Sequence, residues 1–230
     1  MNTSSDLGPD LGPEFGQHWV EGMLATFAEQ ADALGELDRR AGDGDFGKNI
    51  ASAFRRVRQE IEANDPRRYQ DWLTAVSRGF LGTGGTSGPL FGMFFRELAR
   101  CGSGDDPTLD ELARGFAAGL ATIQRYGHAE VGHKTMVDAL APAVEALADR
   151  DPGAAPSVSL RQAGEAATEG ARSTAAILAR RGRASFVGEV SRGVHDPGAV
   201  AMALVVQLAA GASQGSSLKA DSDWLDMSGS

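Results

Sequence analysis

The stretch GDGDFGKNIASAFRRVRQEIEAN, residues 42–64, decides the fold. In its second half, Ile50, Phe54, Val57 and Ile61 recur at steps of four, three and four, with arginines, Gln59 and Glu60 between them. That spacing sets the apolar side chains on one face of an α-helix and the charged ones on the other. Its first half is a glycine–aspartate turn. The helical step recurs in Trp19, Met23 and Phe27, in Leu73, Val76 and Phe80, in Leu112, Phe116 and Leu120, and in Met136, Leu140, Val144 and Leu147. No run of β-branched residues alternates with period two. Pro89, Pro107 and Pro197 stand where helices begin, Thr108 and Glu111 read as a capping box, and Pro142 is expected to kink or end its helix. The reading is all-α, with helices over about 14–35, 48–64, 69–81, 89–101, 108–126, 134–149, 157–181 and 197–212.

The 230 residues suit one domain, expected over 13–212. The Ser-, Gly- and Asp-rich ends, 1–12 and 213–230, are expected to be mobile. A net charge of −9 argues against nucleic acid or an anionic membrane as the main partner. The longest apolar run, Ala199 to Ala210, is too short to span a bilayer and contains Gln207. Cys101 is the only cysteine, so there is no intrachain disulfide, and no basic-plus-apolar signal region opens the chain. A cytoplasmic location is the expectation.

Of the 30 glycines, 13 fall in four interhelical segments: GDGDFG at 42–47, GTGGTSG at 82–88, YGHAEVGHKT at 126–135 and GRASFVGEVSRGVHDPG at 182–198. Helix packing alone does not need such loops, whereas close approach of backbone to a ligand does. In the first, Asp38, Asp43 and Asp45 crowd three carboxylates into eight residues. Such a cluster repels itself unless a cation neutralises it, and hard oxygen donors suit Mg²⁺ or Ca²⁺. An EF-hand counted from Asp43 fails, because Phe54 occupies the position of the required Glu. A P-loop over Gly42 to Lys48 fails as well: Asn49 replaces Ser or Thr, no strand precedes it, and the aspartates would repel phosphate. Phosphate would bind here only through a metal.

In the second segment, glycine N–H groups, Thr86 and Ser87 lead into a helix at Pro89, a pattern that suits either an anion site at a helix N-terminus or a structural loop. In the third, Lys134 and Thr135 are potential donors to phosphate or sugar oxygens, and Met136 belongs to a core stripe. In the fourth, Arg183 reads as a phosphate clamp and Asp196 as the N-cap of the last helix.

Taken together, LDRRAGDGDFGKN, GGTSGPLFG, GHKTMVDALAP and GRASFVGEVSRGVHDPGA resemble the nucleotide-binding L subunit, or L domain, of dihydroxyacetone kinases. The likeness runs in order over residues 14–212. It implies an antiparallel eight-helix barrel with ADP or ATP at one end and a pair of Mg²⁺ ions on Asp38, Asp43 and Asp45. The implied nucleotide contacts are Phe46, Gly47, Lys48, Asn49, Thr86, Ser87, Gly127, Met136, Arg183, Asp196, Pro197 and Gly198. In such kinases the acceptor sits on a separate K-type subunit or domain, so a K-type partner is implied, with ATP or a phosphotransferase-system protein as phosphoryl donor. No residue is named as base for the acceptor hydroxyl. The family usually has His at the place of Phe46 and Asp at the place of His133. The resemblance leaves room for another short ketose, such as erythrulose, as acceptor, and for an ADP-loaded regulatory module without turnover.

Overall fold

A computed structural model of the chain describes residues 9–102, 106–186, 188–217 and 219–222. Among these, eight α-helices follow one another with no strand: α1 Phe15–Ala41, α2 Phe46–Asn64, α3 Tyr69–Leu81, α4 Ser87–Arg100, α5 Leu109–Gly127, α6 Met136–Ala148, α7 Pro156–Ser173 and α8 Pro197–Ala212. Each helix packs on the next, and α8 packs back on α1, so the ring closes. The short loops make sequential neighbours antiparallel. The apolar stripes meet inside: Trp19, Phe27, Phe80, Phe91, Phe94, Phe95 and Phe116 are all buried. The rings pack as stacked and edge-on pairs, with Phe27 on Phe54 at 4.7 Å and Phe54 edge-on to Phe80 at 5.3 Å.

Helix α8 is the apolar run that the composition singles out. It is buried from Pro197 to Leu208 except at Gln207, which spends its amide on Thr168 Oγ1 at 2.6 Å. Trp19 Nε1 donates to Val205 O at 2.9 Å and ties α1 to it. An all-round apolar helix of this length is a core helix. No helix of the described residues is long and apolar enough to cross a membrane.

Several boundaries differ from expectation for physical reasons. Helix α4 starts at Ser87, two residues before Pro89. Pro142 neither ends nor interrupts α6. The carbonyl that it leaves without an i+4 donor, that of Asp138, is instead met by Gly170 of α7, where a Cβ would stand 2.2 Å away. Helix α7 stops at Ser173 rather than continuing to 181, and a crossover of three short 3₁₀ turns follows: Thr174–Ala176, Arg183–Phe186 and Gly188–Ser191. Where the ends expected to be mobile are described, some of their residues hydrogen-bond to the rest of the fold. Leu11 N donates to Pro107 O and Leu109 N to Pro9 O. At the other end, Ala220 N donates to Thr26 Oγ1 at 3.1 Å and Gln30 Nε2 to Ser222 Oγ at 2.9 Å. The remainder of those two expectations, residues 1–8, 218 and 223–230, lies outside the described residues.

Candidate functional site

In an antiparallel ring, alternate loops emerge at the same end. The α1–α2, α3–α4, α5–α6 and α7–α8 loops are the four Gly-rich segments, and together they line one cavity of about 350 Å³. Each precedes an even-numbered helix, so four helix N-termini lie at this end with their positive dipole ends toward it. Carboxylates answer three of them. Asp38 Oδ2 accepts from the first N–H of α2, at Phe46, at 3.0 Å. Asp138 accepts from Thr135 N and Gly132 N at the start of α6. Asp196 Oδ2 accepts from Ala199 N of α8 at 2.8 Å. No side chain caps α4 at Thr86. Its first N–H groups therefore form the anion-seeking point of the cavity.

Asp38, Asp43 and Asp45 all line the cavity. Asp38, in the last turn of α1, is buried, and its carboxyl is raised above the ordinary value. Burial is the main cause, the Phe46 N–H opposes it, and the adjacent Asp43 charge adds to it. A Cβ at Gly42 would fall 2.2 Å from Asp38 Oδ1, so a larger residue there must push the Asp38 carboxylate aside. The three carboxylates do not stand gathered as a ready coordination shell, and among the described residues no group of three His, Cys, Asp or Glu side chains does. Asp43 pairs with Arg183 Nε at 3.1 Å, and Asp45 with Lys48 Nζ at 3.6 Å. Both pairs are largely exposed, and such pairs contribute about 0–1 kcal/mol. A divalent ion can therefore displace them at little cost. The donor chemistry is all hard oxygen, which fits Mg²⁺.

The cavity also brings together Phe46, Asn49, Thr86, Ser87, Gly127, Met136, Arg183, Asp196, Pro197 and Gly198. Ile50, Phe80, Leu90, Phe91 and Ile123 form an apolar wall that sequence reasoning did not assign to the site. They belong to helical stripes, and nothing in a stripe distinguishes a residue facing the core from one facing a cavity within it. Asp196 is half-buried, and its carboxyl is pushed up to about 7. Burial dominates, the Ala199 N–H and the Lys134 charge oppose it, and the Asp138 and Asp38 charges reinforce it.

Two expected contacts lie elsewhere. Gly47 does not line the cavity but is the contact point of α2 with α1. A Cβ there would sit 2.2 Å from Ala31 O and 2.8 Å from Gly35 Cα. Lys48 points to solvent, with 81% of its side chain exposed. Lys134 and Thr135 also differ from the donor role expected of them. Thr135 Oγ1 accepts from Val137 N as the cap of α6. Lys134 is 1% exposed and spends its ammonium on backbone carbonyls. Burial pulls its pKa down, against the Asp196 and Asp138 charges. At the two departures from the family pattern, Phe46 presents a buried ring, and His133 Nδ1 accepts from Glu130 N at 3.1 Å.

Comparison with known proteins agrees with this geometry. Residues 40–211 match the DAK2 domain model. The chain is 37% identical over 193 residues to the ADP-binding subunit DhaL of PEP-dependent dihydroxyacetone kinase 2 from Listeria innocua, covering 79% of this chain and 86% of that one. It is 35% identical to the corresponding Escherichia coli subunit, covering 84% and 93%. It is also 35% identical to L-erythrulose 1-kinase of Mycolicibacterium smegmatis, of which it spans 34%. Among solved structures, the dihydroxyacetone kinase of C. freundii in complex with AMP-PNP and Mg²⁺ superposes with a TM-score of 0.63 at 27% identity. That match covers 91% of this chain and 36% of the C. freundii chain. With a family model over most of its length and relatives of this similarity, the chain belongs to the DAK2 domain family, that of the L-type subunits and domains of dihydroxyacetone kinases.

Proposed function

We propose that this chain is the Mg²⁺-dependent, nucleotide-binding subunit of a dihydroxyacetone-type kinase. It would act with a separate K-type subunit that holds the ketose. One observation supports this above the others: the four alternate loops place three aspartates, the uncapped start of α4 and Arg183 around a single cavity with an apolar wall. The apolar wall suits a purine and the polar mouth a polyphosphate.

In this reading Asp38, Asp43 and Asp45 hold Mg²⁺, which when bound would offset the charge of the phosphates and of the transferring phosphoryl group. The N–H groups that open α4, with Thr86 and Ser87, bind phosphate oxygens directly. Arg183 leaves Asp43 to the metal and turns its guanidinium to the phosphates, where a planar fork matches phosphate geometry. Phe46 contributes its wall and Asn49 an amide. Asp196 holds the start of α8 in place, and Pro197 and Gly198 let the nucleotide approach that turn. Phe186, Val131 and Tyr126 are 83%, 63% and 56% exposed, on segments that lead out of the cavity. Exposed apolar side chains around a mouth suit a partner that closes over it.

Relatives named PEP-dependent and ADP-binding favour a nucleotide that stays bound and is rephosphorylated by a phosphotransferase-system protein, in the cytoplasm. Similarity to the erythrulose kinase keeps that ketose as the second acceptor to test, because the acceptor would be chosen by the partner. The experiment is reconstitution with a K-type subunit and either ATP or a phosphorylated phosphotransferase-system protein. Phosphorylation of dihydroxyacetone that is lost in Asp45→Asn supports the proposal. Phosphorylation of erythrulose alone moves the acceptor. Tight ADP binding with no turnover under any pairing would mark a regulatory module instead.

A further inference from the structure

Lys134 is an expensive residue. It stands just before α6 with φ +61°, in the left-handed region that lysine avoids by about 1 kcal/mol or more. It also brings an ammonium to a place that is 1% exposed. Its Nζ lies 2.7 Å from Thr174 O, 2.6 Å from Ser191 O, 2.7 Å from Val194 O and 3.2 Å from Ile177 O. Three protons are thus shared among four carbonyls, and none is left to face the cavity.

All four carbonyls belong to the crossover between α7 and α8. Besides these, among the described residues, five single bonds hold its base: Gly193 N to Ala175 O at 2.8 Å, Asp196 N to Thr174 Oγ1 at 2.9 Å, Arg192 Nη1 to Ala176 O at 3.0 Å, Arg180 N to His133 O at 3.1 Å and Ala179 N to Ser191 Oγ at 3.3 Å. Its outer part, Arg181 to Arg183, is exposed and carries the guanidinium that reaches Asp43 across the mouth. The crossover is therefore a loop clamped at its base and open at its tip. The clamp is a cation in the place that a ladder of backbone bonds would otherwise fill. Without the ammonium, four carbonyls converge with no donor between them, and the base must open to let water in.

We propose that Lys134 is a positioning residue, an internal cation that clamps the base of the α7–α8 crossover and so sets where Arg183 meets the phosphate end of a bound nucleotide. The proposal rests on the nucleotide reading above for its second half only. It requires Lys134 to act on phosphates through Arg183, and not on the base, whose apolar wall comes from α2 to α5.

The test uses Lys134→Met, which keeps the stem and removes the ammonium. In the ligand-free protein, amide exchange should quicken by about tenfold or more across the crossover, while α1 to α5 keep their protection. Affinity for Mg·ADP, by calorimetry, should fall by about 10- to 100-fold, the worth of one charge-assisted contact. Adenosine, followed by ligand-observed NMR, should change by no more than about twofold. Arg183→Ala should weaken Mg·ADP binding in the wild-type background and hardly at all in Lys134→Met, because the two residues act as one unit. Should Lys134→Met not fold, Lys134→Gln, which keeps two donors, carries the same measurements. Unchanged exchange in the crossover overturns the clamp, whatever the nucleotide does. Equal losses for ADP and adenosine, or additive effects of the two substitutions, overturn its link to Arg183. Failure of the wild-type protein to bind Mg·ADP sinks the nucleotide reading and with it that link, and leaves the exchange result to decide the clamp.

Discussion

Asp196 offers the sharpest test of the electrostatics. Its carboxyl caps α8 through Ala199 N, yet it stands near Asp138 and Asp38, with only Lys134 to oppose them. The rise from 3.8 to about 7 corresponds to about 4 kcal/mol of disfavour for the charged form. Because Asp196 keeps part of its surface toward the cavity, about 2 kcal/mol is the working figure. The sign follows from proton counts. Between about pH 4 and 7 the folded protein holds a proton that the unfolded chain has released, so the stability due to this proton is complete below pH 4 and is lost as pH rises to 7. Asp196→Asn keeps a capping oxygen and never ionises. Urea titrations of the ligand-free protein at pH 5, 6, 7 and 8 should show the variant close to wild type at low pH and more stable by about 2 kcal/mol at pH 8, with an unchanged slope. A variant no more stable at pH 8, or a difference that does not vary with pH, would refute the reasoning.

Gly47→Ala forces a methyl group into backbone on α1 and should cost about 3 kcal/mol in urea unfolding; a loss under about 0.5 kcal/mol would return Gly47 to the ligand-contact role. Asp38 titrates above the ordinary carboxylate value, so protons compete with metal at unusually high pH. Mg·ADP titrations in two buffers of different ionisation enthalpy should reveal proton release on binding that grows as pH falls toward 5. Gly42→Ala places a Cβ 2.2 Å from Asp38 Oδ1 and should weaken Mg²⁺-dependent binding more than it weakens adenosine, by calorimetry and ligand-observed NMR.

The helical stripes made the eight helices legible, because each stripe is a local signal with a single period, whereas their closure into a ring followed only from the family resemblance. The clustering of glycines in alternate loops made the common end of the ring legible too, once the helices were counted. What a linear reading missed was direction. Lys134 and Lys48 both sit in Gly-rich segments, yet one turns inward to carbonyls and the other outward to water, and neither faces the cavity with its ammonium. Gly47 is indistinguishable in sequence from a phosphate-loop glycine, and only the approach of Ala31 and Gly35 reveals its packing role. Residues 174–181 read as a continuation of α7 because they keep helical residue types, whereas the chain leaves the helix after Ser173 and the carbonyls of Thr174 and Ile177 turn to the ammonium of Lys134, 40 or more residues away in sequence. Asp38, Asp43 and Asp45 were legible as neighbours in sequence, whereas the pairing of Asp43 with Arg183 and of Asp45 with Lys48 depends on side chains far apart in the chain or free to turn.

The most direct test of the account is calorimetry of the purified protein with ADP, in Mg²⁺ and in excess chelator, beside Asp43→Asn and Asp45→Asn. Tight binding in Mg²⁺ that collapses with chelator and in both variants is the expected result. ADP affinity that ignores Mg²⁺ and survives both substitutions would contradict the claim that these aspartates hold the metal that holds the nucleotide.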